Sequence, residues 1–144
     1  MELTNFGAVL TFAAETEAAD SAFYAAIREM ASLENYGNTF EAVGTALKKN
    51  EKDLLRARRE NVTEMILEHI HDFDSESFVP DRSVTDNMTA EAAVNRAITI
   101  EDKAVEFYIV AAEKLRGLPE VSRILKRVGK IRSANREKLK DLIR

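Results

Sequence analysis

Two stretches of this chain, ETEAADSAFY (residues 15–24) and EDKAVEFY (residues 101–108), end in a Phe-Tyr pair with a glutamate seven residues before the tyrosine. Glu17 and Tyr24 stand the same 84 residues ahead of Glu101 and Tyr108. In each stretch the glutamate falls on the apolar stripe of a 3.6-residue period. The first stripe is Leu3, Phe6, Leu10, Ala13, Glu17, Asp20, Tyr24, Ile27 and Ala31; the other is Val94, Ala97, Glu101, Ala104, Tyr108, Ala111 and Leu115. A carboxylate on a buried stripe must meet a cation or hold a proton, because an unpaired buried charge costs several kcal/mol. Two such carboxylates, one from each of two internally similar halves, would meet near the middle of the fold, each needing a cation or a proton.

Two more stripes complete the pattern. One runs from about Thr39 to His71 through Phe40, Val43, Leu47, Leu54, Val62, Met65, Ile66 and Ile70; the last carries Val121, Ile124, Val128, Ile131, Asn135, Leu139 and Leu142. Thr89 is placed to cap the third helix, Gly117 to end it, and Pro119 to open the fourth. Only five Gly and two Pro occur, and no strand signal appears. Short turns at Asn35–Asn38 and Arg116–Pro119 predict helix pairs over about 2–72 and 89–143, with a polar crossover over about 73–88. The fold class expected is all-α: one domain spanning 1–144, a four-helix bundle of two antiparallel hairpins joined by a long crossover, of ferritin-like topology. A plain up-down-up-down bundle with a long loop has the same periodicity. The repeat at fixed offset favours paired hairpins related by an approximate twofold axis.

Composition removes several classes of function. There is no cysteine, hence no disulfide, thiolate metal site or cysteine nucleophile. No apolar run approaches a membrane span, and MELTNFGAVL lacks the basic start of a secretory signal, so a cytoplasmic protein is expected. The net charge of −4 is unevenly spread, acidic through residue 41 and basic over the last helix. That basic helix has no interleaved aromatics and an acidic partner in the same chain, which favours internal charge matching over nucleic-acid binding. Phosphate loops and Ser-His-Asp arrangements are absent.

The repeated Glu-to-Tyr spacing, the Phe-Tyr pairs, the hairpin lengths and RRENVTEMILE (residues 58–68) resemble the rubrerythrin branch of the ferritin-like superfamily. The resemblance covers nearly the whole chain and implies a di-iron bundle, often a homodimer, that reduces peroxide or oxidises and stores iron. The family's Glu-x-x-His motifs are missing, however. Counting from Tyr24 places Asn50 and Asp53 at the helix-2 positions, with Glu51 the neighbouring carboxylate, and the matching positions on helix 4 are taken as Arg132 and Asn135. Candidate metal ligands are therefore Glu17, Glu101, Glu51 and Asp53, with Asp20, Asn50 and Asn135 as further oxygen donors and Tyr24 and Tyr108 adjacent. Iron or another divalent ion is the cofactor those residues could hold. Against that, Arg132 offers a permanently charged fork matched to carboxylates. The expectation is a degenerate centre in which Arg132 neutralises Glu17 and Glu101, in a structural or interaction protein with no catalytic residue assigned. The alternative is an iron-binding oxidoreductase.

Two surface runs have a bland and a chemical reading each. Arg56, Arg58 and Arg59 form a solvated helix face or an anion site; the first is expected. In ILEHIHDFDSE, His69 and His71 would project about 200° apart on a continuing helix and could not share a metal, whereas an extended exit would bring them together. A polar helix end, with histidine near the C-terminal dipole, is the expected reading.

Overall fold

The computed structural model describes residues 1–30, 35–61 and 69–144. Four long helices, α1 (Phe6–Arg28), α2 (Gly37–Glu60), α3 (Ala90–Lys114) and α4 (Pro119–Asp141), account for most of them, with one short 3-10 turn at Ser75–Phe78. Among the described residues there is no strand, only an isolated bridge between Glu2 and Asp74. No helix of the described residues is long and apolar enough to cross a membrane.

The helix starts follow their side chains. Asn5 caps α1 by accepting from the Ala8 amide at 2.8 Å, and Thr89 caps α3 by accepting from the Ala92 amide at 3.1 Å. Pro119 opens α4, where its missing N–H is no loss. The end of α3 differs from expectation. No glycine has a positive φ, so Gly117 is not a left-handed cap; the Leu115 amide closes the helix on Ala111 O instead.

The second helix also stops earlier than its stripe suggested. It ends at Glu60, and Ile70, though buried, lies in non-helical chain. The stripe positions Val62, Met65 and Ile66, most of the RRENVTEMILE segment and Ala31 lie outside the described residues.

Contacts between elements fix their order. Gly7, Glu17 and Ser21 on α1 meet Arg58, Asn50 and Gly44 on α2, descending as α1 ascends. On α3, Asp102 and Ala112 meet Arg136 and Ser122 on α4 in the same reversed sense. Between the two pairs, Glu17 meets Tyr108 and Tyr24 meets Glu101, again reversed. The connection from α2 to α3 runs back along α3, where His71 O, Ser77 O and Ser83 O accept from Lys114, Lys103 and Arg96 in turn.

The core is split. One apolar cluster includes Leu3, Phe6, Leu10, Leu54, Phe73, Phe107 and Leu125; the other includes Tyr24, Ile27, Phe40, Leu47, Val94, Ile100 and Leu139. Between them lie Glu17, Asp20, Asn50, Glu101, Arg132 and Asn135, every one at most 1 % exposed. A bundle with a polar layer of this kind is stable only if the layer is internally satisfied.

Candidate functional site: a buried ion-pair cluster

Arg132 is the largest fully buried side chain of the described residues, and all three of its guanidinium nitrogens are engaged. Nε and Nη2 donate to Glu101 Oε1 and Oε2 at 2.8 and 2.9 Å, a two-pronged contact with one carboxylate. Nη1 donates to Glu17 Oε2, and Nη2 also reaches Asp20 Oδ2 at 2.5 Å. A single guanidinium thus joins α4 to both α1 and α3.

Neutral donors complete the layer. Tyr24 Oη donates to Glu101 Oε2 at 2.9 Å, and Tyr108 Oη donates to Glu17 Oε2 at 3.0 Å. Each tyrosine therefore serves the glutamate of the other half. Asn50 Nδ2 donates to Glu17 Oε1 at 2.7 Å. Arg82, from the connection between α2 and α3, donates to Asp20 Oδ1 at 2.6 Å and is the member that reaches solvent, its side chain 25 % exposed.

The charges nearly cancel. Three carboxylates face Arg132 and Arg82, which leaves one negative charge in excess when all are ionised. Burial pushes the Glu17 and Glu101 carboxyls above the usual carboxylate range, a rise that Arg132 opposes. Burial and the facing glutamates hold Tyr24 and Tyr108 well above the ordinary phenol value, so both stay protonated donors. Burial alone would lower Arg132, but Glu101, Glu17 and Asp20 outweigh it and keep the guanidinium charged.

Of the candidate ligands, the structure unites Glu17, Glu101 and Asp20 and leaves two outside. Asp53 sits at the edge, accepting from Lys49 at 3.1 Å and Arg127 at 3.2 Å in surface ion pairs. Glu51 is only half-buried and takes no part in the cluster. Both lie next to Asn50, the residue of that turn that does face inward.

The internal repeat explains the difference. A Cβ at Gly44 would lie 3.5 Å from Tyr24 Cβ, and one at Gly129 would lie 3.0 Å from Tyr108 Cβ, so the two glycines are equivalent points on the two helix pairs. Counted from them, Asn50 matches Asn135 and Leu47 matches Arg132. Matching Arg132 to Asn50, as the motif alignment has it, is three residues, about one helical turn, out. Asp20 likewise has Ala104 as its counterpart. Arg132 and Asp20 are therefore extra charges, each present in one half only. Asn50 satisfies Glu17, while Asn135 Nδ2 is buried without a partner because Arg132 already holds both oxygens of Glu101.

The donor set does not fit a metal pair. Every one of the six carboxylate oxygens of Glu17, Asp20 and Glu101 already accepts a hydrogen bond, and the charge between them is a fixed guanidinium. An ion placed there would lie against that positive charge, with no imidazole among the facing groups. The arrangement holds three helices together through charge and offers no free acid, base or nucleophile.

The molecule is thus an all-α protein of four long helices with a closed ionic centre. Comparisons with protein-family models, curated proteins and solved structures find no match for it.

Proposed function

We propose that this chain is a rubrerythrin-like bundle of ferritin-like topology whose di-metal centre has been replaced by a buried ion-pair cluster, and that it acts as a structural or interaction module. The observation that carries the reading is the guanidinium of Arg132 seated between Glu17, Asp20 and Glu101. The reversed order of contacts within each helix pair, and the α2–α3 connection running back along α3, support two antiparallel hairpins joined by a crossover. Fixed charge in place of an exchangeable ion gives the bundle permanent cross-links and removes the dependence on metal. Function then rests on the outer faces, and the family resemblance carries the further expectation of a homodimer in the cytoplasm, which sedimentation of the purified chain checks.

The test is metal analysis of protein purified without added metal or chelator, with melting read before and after ferrous iron. His69→Asn/His71→Asn protein is used so that surface imidazoles do not contribute. Substoichiometric iron and manganese, with no rise in Tm, is the expected result. Near-stoichiometric metal with a rise in Tm would restore Glu17 and Glu101 as ligands of an iron-binding protein.

A further inference from the structure

The chain entering the crossover alternates strictly: His69 exposed, Ile70 buried, His71 exposed, all non-helical. In extended chain residues two apart share a side, and the two imidazoles indeed lie together, ring centroids 4.5 Å apart and planes inclined by 58°. From this geometry we infer that His69 and His71 form a two-imidazole chelate for a borderline divalent ion, of which Cu2+ is the tightest-binding example.

The separation suits the chemistry. An imidazole nitrogen about 2.0–2.1 Å from a metal puts the ring centre about 3.1 Å away, so two rings at adjacent coordination positions, about 90–109° apart, have centroids about 4.4–5.1 Å apart. The observed 4.5 Å lies inside that span.

The backbone that carries the pair is fastened on both sides. The Ile70 side chain is 3 % exposed in the apolar core, and its amide donates to Thr4 O at 2.8 Å. His71 O accepts from Lys114 Nζ at 2.7 Å. Asp72 then turns the chain with a left-handed φ of 58°, and buried Phe73 accepts from the Leu3 amide at 2.7 Å. The two side chains are presented by a segment already ordered by other contacts, so chelation costs little backbone entropy. Among the described residues no third His, Cys, Asp or Glu joins them in a metal-binding group, so the remaining positions fall to water. That places the site with copper- and zinc-type ions and not with hard, oxygen-seeking Mg2+ or Ca2+. The site lies apart from the ionic centre and stands whether or not the function proposed above is right.

Titration of the full chain with CuCl2, followed by calorimetry and electron paramagnetic resonance, tests it. One equivalent with two nitrogen ligands is expected. His69→Asn and His71→Asn should each weaken binding roughly tenfold or more, and about as much as the double replacement, because either loss destroys the chelate. Apo melting of the variants should match the parent, both side chains being exposed. Single replacements that leave Cu2+ affinity unchanged, or whose effects simply add in the double variant, would overturn the chelate.

Discussion

The two helix pairs, α1–α2 and α3–α4, carry the same frame and different charges. Both put a glutamate, a Phe-Tyr pair, a glycine under the tyrosine and an inward asparagine at matching points. Only α3–α4 has the arginine, where α1–α2 has Leu47, and only α1–α2 has the extra aspartate, where α3–α4 has Ala104. One asparagine is satisfied and its twin is not. The comparison separates what the bundle geometry requires, the shared set, from what closes the centre electrostatically, the unshared pair. Arg132 and Asp20 are best understood together: the arginine offsets one of the two glutamate charges, and the aspartate, paired from outside by Arg82, adds a further link to the guanidinium without changing the net charge.

The largest effect is expected where the matched positions are made alike. Arg132→Met leaves buried carboxylates without their main counter-charge and should cost roughly 3–5 kcal/mol in urea unfolding. Leu47→Met, at the equivalent point of the other helix pair, is a volume-conserving change and should cost less than about 1.5 kcal/mol. Similar losses at both positions would mean that the arginine matters for its bulk.

The asparagines give the next contrast. Asn50→Leu strips a donor from buried Glu17 and should cost about 1–3 kcal/mol, whereas Asn135→Leu removes an unpaired polar group and should be neutral or stabilising. The glycines follow. Gly44→Ala meets only ordinary contacts and should gain about 0.5–1 kcal/mol of helix stability. The same change at Gly129 presses a methyl to 3.0 Å from the buried Tyr108 Cβ and should lose stability. Thermal melting of the two variants reads the opposite signs directly.

The legibility of the site divides along the same line. The four helices, Pro119, the Thr89 cap and the buried glutamates were open to reading because each is a local signal: a period, a cap residue, a ring, a carboxylate on an apolar stripe. Arg132 was legible only through the resemblance, which puts it at a ligand position; the period alone set Ile131 on the stripe, whereas Ile131 is half-buried and Arg132 fully buried. Arg82 was not, because nothing in a polar crossover distinguishes the arginine that turns inward from its solvated neighbours. The register of helix 2 against helix 4 carries no local signal: Asn50 follows Tyr24 by 26 residues, whereas its counterpart Asn135 follows Tyr108 by 27 and Arg132 by only 24. Period counting does not fix which turn of one helix faces which turn of the other. The early end of α2 was hidden because Ile70 continues the apolar pattern from non-helical chain, where its side chain is still buried in the core.

A shallower effect concerns pH and contrasts the centre with the outside. The folded-state pKa values of Glu17 and Glu101 lie above 4.5 chiefly through burial, so the folded chain binds more protons than the unfolded one just above that pH. Their contribution is present below 4.5 and is lost as pH rises through the elevated values. Asp74 and Asp81 are lowered from 3.8 by hydrogen bonds, to the Glu76 amide and the N-terminus in one case and to Ser83 in the other. Their contribution is present above 3.8 and is lost as pH falls through the depressed values. Melting curves of the parent against Glu17→Gln, taken upward from pH 4.5, should show a falling component that is smaller in the variant, which keeps only the part due to Glu101.

The central claim is that charge balance, and not the arginine as such, closes the centre. Its most direct test is the unfolding free energy of the triple variant Arg132→Met, Glu17→Gln, Glu101→Gln beside that of Arg132→Met alone. The triple leaves Asp20 with Arg82 and keeps carbonyl oxygens for Tyr24, Tyr108 and Asn50. It should regain most of the roughly 3–5 kcal/mol lost in the single variant. A triple variant as unstable as the single one, or a single variant as stable as the parent, would contradict the account.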